Sequence, residues 1–234
     1  MGYGFYGIDI YYVILVVPAF LFSLYAQFKV KSTYSKYSKY SNMRGLTGYD
    51  IARAVLDRNG LYDVQVQATP GELSDHYDPR TRVVRLSEGV FHSSSVAAIG
   101  VAAHETGHAI QHKEGYAPMA LRSTLVPVAN IGSMAGPYMA IFGIMFGWDG
   151  LTNLGILLFT AAVAFYLVTL PVEFNASTRA VRALETSGVL TRDEIEPARK
   201  VLRAAAMTYV ASAAVAMANL LRLILLSNSR RSDD

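Results

Sequence analysis

The 234-residue chain contains no cysteine. Disulfides and thiolate-bound metals are therefore excluded, and any metal site has to be built from histidine, aspartate or glutamate. Charge is also scarce. Asp, Glu, Lys and Arg supply 17% of the residues, against about 25% in a typical soluble domain. Hydrophobic residues reach 52% and mean hydropathy is positive, the balance of a membrane protein. The net charge of +3 does not point to nucleic acid, because the basic residues gather beside hydrophobic segments. In a membrane protein that placement reports topology.

The charge-free stretches set the organisation. Residues 10–28 carry no charge and can cross a hydrocarbon core, which needs about 20 apolar residues. No basic segment precedes this run and no small-residue cleavage site follows it, which argues against a cleaved signal peptide. Pro18 within it predicts a bend. Gly2 stands where a myristoylation motif would begin, but Tyr6 occupies the position that needs Ser or Thr. Lys29, Lys31, Lys36, Lys39 and Arg44 follow at once and read as a cytoplasmic anchor under the positive-inside rule rather than as a nucleic-acid-binding stretch.

Between residues 123 and 172 the sole charged residue is Asp149, inside the turn-like cluster Gly147-Trp148-Asp149-Gly150. This predicts a hairpin of two spanning helices over 125–146 and 151–170, with Gly132, Ser133, Ala135 and Gly136 allowing close packing. Residues 173–203 are rich in charge, with Arg179, Arg182, Arg192, Arg199, Lys200 and Arg203, and Thr191 and Glu194 resemble a capping box. A last apolar run, 204–226, is interrupted by Asn219 and Arg222. If it spans, Arg230 and Arg231 emerge on the non-cytoplasmic side; otherwise it packs on the catalytic unit or lies in the interface. The expected segments are an N-terminal span (1–28), a cytoplasmic catalytic segment (29–122), the hairpin (123–172), a second catalytic segment (173–203), and a C-terminal apolar helix and tail (204–234). The two basic segments place both catalytic segments on one, cytoplasmic, face.

Within 29–122, Thr47 is placed to cap a short helix through Leu56. Val64, Val66 and Ala68 alternate with polar residues and predict a strand, residues 82–86 a second one, and 75–79 a turn. Ser93, Ser94 or Ser95 is placed to cap a helix over about 96–113.

That helix carries His104-Glu105-Thr106-Gly107-His108. Residues four apart lie on one helical face, so the two imidazoles can meet one ion. Glu105, rotated by one position, reaches water at the ion without binding the ion itself, which is the mechanical content of His-Glu-x-x-His. The bland alternative is two satisfied histidines on an ordinary helix. Against it stand the small apolar run 96–103, the serine cap, and Gly107, which costs a helix up to about 1 kcal/mol relative to Ala. A catalytic zinc wants three protein ligands and one open position. His112 continues the helix but drifts around its axis. Glu173 returns to the same face after the hairpin and is the favoured third ligand, although it also reads as a carboxylate near a helix start.

The segments Leu73-Ser74-Asp75-His76-Tyr77-Asp78-Pro79, Val84-Arg85-Leu86-Ser87, His104-Glu105-Thr106-Gly107-His108-Ala109-Ile110-Gln111-His112 and the stretch around Glu173 resemble the YugP-like family of bacterial membrane zinc peptidases. The resemblance spans nearly the whole chain. More distantly, the sequence is similar to the HtpX and CAAX-prenyl protease group. The resemblance implies a mainly α integral membrane protein with three to four transmembrane helices and a small α+β zincin-like catalytic unit. It implies one Zn2+ per chain held by His104, His108 and Glu173, with Glu105 as general base, a polypeptide substrate, and a cytoplasmic-facing site. Many glutamate-ligand zinc peptidases place an aspartate four residues after that ligand to orient a histidine. Here the position is Ser177, so Asn175, Ser177 or another arrangement takes over. His76, Tyr77 and Arg179 are candidates to stabilise an oxyanion, with turn chemistry, packing or a solvated charge as their plainer roles. By analogy with zinc peptidases, strand 82–86 is the candidate to pair with an extended substrate. Two other classes compete with an endopeptidase: a non-catalytic scaffold stapled by zinc, which has no use for Glu105, and an intramembrane site-2-type protease. The polar Gln111-His112-Lys113-Glu114 directly after the motif favours a juxtamembrane site over the latter.

Overall fold

The computed structural model describes residues 9–188 and 190–233, with side chains through Arg230; Gly2 and Tyr6 lie outside the described residues. The chain divides into two compact units. One, helical apart from turns in its described residues, takes in residues 9–27, Leu121–Leu170 and those from Thr208 onward. The other comprises Phe28–Ala120 and Pro171–Met207 and contains the only sheet among the described residues.

In the sheet-containing unit, α2 (Gly48–Arg58) starts with a complete capping box. The Thr47 hydroxyl accepts from the Asp50 N–H, and the Asp50 carboxylate accepts from the Thr47 N–H. Ile51, Ala52, Val55 and Leu56 are buried along one face of this helix. Three strands follow: β1 (Gln65–Thr69), β2 (His76–Asp78) and β3 (Val83–Ser87). β3 lies in the middle, parallel to β1 and antiparallel to β2, with Tyr77 opposite Val84. Two expectations change here. Residues 75–79 form part of a strand as well as a turn, because Tyr77 has a buried side chain to place against β3. Strand 82–86 cannot pair with a substrate, because both of its edges are already bonded. Asp75 ties the approach to β2 to the end of β3: its Oδ1 accepts from the Ser87 N–H at 2.8 Å and from the Ser87 hydroxyl at 3.1 Å. Burial pushes the Asp75 carboxyl up, against the opposing effect of these hydrogen bonds.

After the short α3 (Glu88–Phe91), α4 (Val96–Lys113) begins under the Ser95 hydroxyl, which accepts from the Ala98 N–H. Its small apolar first turns are buried with Leu56, Val84 and Leu86 from the preceding elements and with Val172, Leu184, Ile195 and Leu202 from the later helices.

Those later helices are long. α5 covers Ala117–Phe146, α6 Asp149–Ser187 and α7 Arg192–Asp233. The hairpin is as expected at its Gly147-Trp148 turn, but its second arm continues through Pro171, so Glu173 lies inside a helix and not near a helix start. The macrodipole account of Glu173 therefore does not apply. Within the helical unit the two arms touch along glycines. A β-carbon at Gly132 would strike the Leu158 carbonyl, and one at Gly136 would lie 2.9 Å from the Gly155 carbonyl.

Four described helices are long and apolar enough to cross a membrane: Tyr12–Tyr37, Ala117–Phe146, Asp149–Ser187 and Arg192–Arg230. The first consists of a π-helical stretch (Tyr12–Val16) followed by α1 (Val17–Tyr37). Pro18, which supplies no N–H for a helical bond, sits at that junction. The fourth contains the run 204–226. Arg222, which interrupts this run, pairs with Asp9 at 2.6 Å and lies over the Tyr12 ring. Arg230 donates to the carbonyls of Gly143 and Ile144, and the Tyr11 hydroxyl meets Ser229. The start of the first helix, the hairpin tip and the end of α7 thus lie together at one end of the helical unit.

Candidate metal centre

Three donor side chains converge in the sheet-containing unit. His104 and His108, one turn apart on α4, stand nearly perpendicular with ring centroids 4.8 Å apart. Glu173 from α6 comes between them. Its Oε2 lies 3.2 Å from His104 Nε2 and 3.7 Å from His108 Nε2. One ligating atom from each of the three residues falls within 4.8 Å of the others. His112, the disfavoured alternative for the third ligand, is not part of this group. Its Nδ1 is engaged by the Tyr77 hydroxyl at 2.8 Å.

The approach of the two helices depends on Gly107. Its α-carbon faces the backbone of Ala176, leaving no room for a side chain. This close contact sets Glu173, three residues before Ala176, against the two histidines. Glu173 is only 2% exposed. A carboxylate withdrawn from water to that degree needs compensating positive charge or hydrogen-bond donors. The electrostatics at His108 agree. Burial works to lower its proton affinity, but the nearby carboxylate of Glu173, 3.7 Å away, and the charge of Glu105 outweigh burial and hold the imidazole above the usual histidine range. The three side chains are close enough together to hold one metal ion. Two imidazole nitrogens and one carboxylate oxygen, with no thiolate, form a donor set that suits zinc.

Each histidine is gripped from behind. The Ser177 hydroxyl lies 3.1 Å from His104 Nδ1, at the position where many glutamate-ligand zinc peptidases carry an aspartate. The amide oxygen of Gln111 lies 3.0 Å from His108 Nδ1. Gln111 was not singled out from the sequence, although its position three residues after His108 on the same helix face was the available signal. Asn175 touches neither histidine; it accepts from Gln111 and from Arg179. Arg179 also pairs with Glu114 at 2.7 Å. His76 donates its Nδ1 proton to the Ser74 carbonyl and is exposed on β2. The three oxyanion candidates therefore have their hydrogen bonds in other places: a turn, a histidine and a helix-to-helix ion pair.

Four helices long and apolar enough to cross a membrane, with a His-His-Glu cluster built partly on His-Glu-x-x-His, are the features of a membrane-bound zinc peptidase. A family model described as "putative neutral zinc metallopeptidase" matches residues 12–228, and the chain belongs to that family. Among curated proteins it is similar to the "putative membrane protease YugP" of Bacillus subtilis (strain 168), with 48% identity over 223 residues that cover 95% of this chain and 99% of the relative. No solved structure matches the chain.

Proposed function

We propose that the protein is a membrane-bound endopeptidase that hydrolyses peptide bonds of membrane or membrane-adjacent proteins. The observation that carries this reading is the convergence of His104, His108 and Glu173 beside a helix that also carries Glu105. Zinc, when held by these three residues, supplies a Lewis acid and lowers the pKa of water toward neutrality.

The remaining work falls to the chain. Glu105 follows His104 directly and is largely buried. It takes the proton of the attacking water as the water oxygen bonds to the scissile carbonyl carbon. It then delivers that proton to the amide nitrogen as the carbon–nitrogen bond breaks. The products are a carboxylic acid and an amine, so atoms and protons balance. His104 and His108 would each offer a ring nitrogen lone pair to the metal, and Glu173 would contribute the negative charge of the ligand set. The basic residues after the first and third spanning helices support a site on the cytoplasmic side. The curated relative's name, "putative membrane protease YugP", supports proteolysis by a membrane-bound enzyme.

The test is a Glu105→Gln variant assayed in detergent for both metal content and proteolysis. Retained zinc with lost cleavage is expected. Unchanged cleavage would exclude this mechanism. A parent protein that holds zinc but cleaves no membrane-protein substrate would favour a stapled scaffold.

A further inference from the structure

We propose that Arg179, Asn175 and Gln111 form a hydrogen-bond relay, with Arg179 and Gln111 both donating to Asn175 Oδ1, that holds His108 with its proton on Nδ1 and its Nε2 lone pair turned toward the metal position. The inference rests on the metal centre proposed above and adds the residues that set the chemical form of one ligand.

A side-chain amide has a donating and an accepting end of nearly the same shape, so its orientation has to be dictated by its neighbours. Arg179 starts the chain of dictation, because a guanidinium only donates. Its Nε donates to Asn175 Oδ1 at 2.6 Å, while its Nη1 is held by Glu114 at 2.7 Å. Asn175 must therefore present its oxygen. That same oxygen accepts from Gln111 Nε2 at 2.9 Å. The Gln111 amide nitrogen also donates to the Val172 carbonyl at 2.8 Å, and a carbonyl accepts only. With its nitrogen committed twice, Gln111 has only Oε1 to offer His108, and that oxygen lies 3.0 Å from Nδ1. The proton of a neutral ring thus belongs on Nδ1. Nε2, on the side facing Glu173, keeps its lone pair.

Gln111 is fully buried, and the reversed amide would set its oxygen against two acceptors. His104 has no such director. Its Nδ1 faces the Ser177 hydroxyl, which both donates and accepts. The relay also joins α4 to the α6 backbone on both sides of Glu173, through Val172 and Asn175. Gln111, Asn175 and Arg179 are positioning residues in this scheme.

The experiment compares Asn175→Leu and Asn175→Asp with the parent, using the full chain in detergent. Zinc affinity is read by competition with a chromophoric chelator. Asn175→Leu breaks the relay and is expected to weaken zinc binding by about tenfold or more, whereas Asn175→Asp keeps an accept-only group between Arg179 and Gln111 and should stay within about threefold of the parent. A second readout uses zinc-free protein with nitrogen-15-labelled histidine at alkaline pH, where the ring is neutral. His108 is expected to carry its proton on Nδ1 in the parent and in Asn175→Asp, and to gain a measurable fraction of the Nε2 tautomer in Asn175→Leu, where the Val172 carbonyl alone still orients the Gln111 amide. If Asn175→Leu does not fold, Arg179→Leu takes its place, since it removes the fixed donor. The relay is overturned if the leucine variant binds zinc as tightly as the parent, if the aspartate variant is as weak as the leucine variant, or if the parent ring is protonated on Nε2. A parent that takes up no zinc but shows the Nδ1 proton would support the relay and refute the metal reading.

Discussion

A β-carbon on Gly107 would lie 2.6 Å from the carbonyl oxygen of Ala176. The glycine inside the histidine motif is thus the contact that lets α4 and α6 approach closely enough for Glu173 to reach both rings. Gly107→Ala should improve the intrinsic helix propensity of α4 and still harm the protein. The expected cost is about 1–3 kcal/mol, as for other overpacked sites, with weaker zinc binding. Thermal melts and chelator competition would detect both. A variant as stable and as zinc-tight as the parent would show that the contact has no such role.

Glu173→Gln should lose most of the bound zinc, because an amide oxygen is a far poorer partner for a cation than a carboxylate. His112→Ala should retain it, since His112 is occupied by Tyr77. Metal analysis after dialysis distinguishes them. Zinc retained by the Glu173 variant and lost from the His112 variant would reverse the ligand assignment.

Zinc stabilisation should grow with pH. In the zinc-free protein the His108 imidazole is held above its ordinary value of 6.5. The stability this contributes is fully present below 6.5 and is lost as pH rises through the raised, folded-state value. Zinc requires the neutral ring, so its contribution moves the other way. The gap in melting temperature between zinc-loaded and zinc-free protein should therefore widen as pH rises from about 6 to about 8. A constant or narrowing gap would count against the Glu173 and Glu105 charges acting on His108.

Asp75 gives a pH effect away from the metal. Burial raises its carboxyl above the ordinary 3.8. Its protonated form therefore contributes stability that is present below 3.8 and is lost as pH rises through the folded-state value. An Asp75→Asn variant has no carboxyl proton to lose at this position, and its amide oxygen can still accept from Ser87. Relative to that variant, the parent should lose melting temperature between about pH 4 and about pH 7. Parallel melting curves across that range would contradict the burial effect.

The hydrogen bonds between Arg230 and the hairpin tip predict where the end of α7 lies relative to the bilayer. Tags placed at residue 149 and after Arg230 should be protected from, or exposed to, added protease together. A tag at residue 40, one span after Asp9, should behave oppositely. If the tags at 149 and after 230 separate, α7 does not cross as a fourth span.

Much of this architecture was legible in the sequence because hydrophobicity and helix chemistry are local. The charge-free runs marked the spans, Thr47 capped the helix it was placed to cap, one of the three serines offered for the next helix, Ser95, caps it, and the spacing of His104 and His108 put them on one face. Glu173 was reachable through connectivity, since a hairpin must return its chain to the side it left. What stayed hidden depends on packing between elements distant in the sequence. The central position of β3 follows from β1 and β2 choosing opposite edges, which no local pattern encodes. The continuation of α6 through Pro171 depends on burial of the following turns, which overrides the usual cost of proline inside a helix. In the sequence Gln111 is only the first residue of the polar stretch that follows the motif. Its role emerges only when Val172 and Asn175 are folded against it.

The ion pair between Asp9 and Arg222 has a practical consequence for handling the protein. Trimming the chain back to its first apolar run, a routine step when a tag is attached, would remove the carboxylate that faces a guanidinium set within an apolar helix. Membrane insertion tolerates such a charge poorly when its counter-charge is gone. An N-terminal fusion that keeps Asp9 should give well-behaved material, and one that starts after it should give low yields or aggregates.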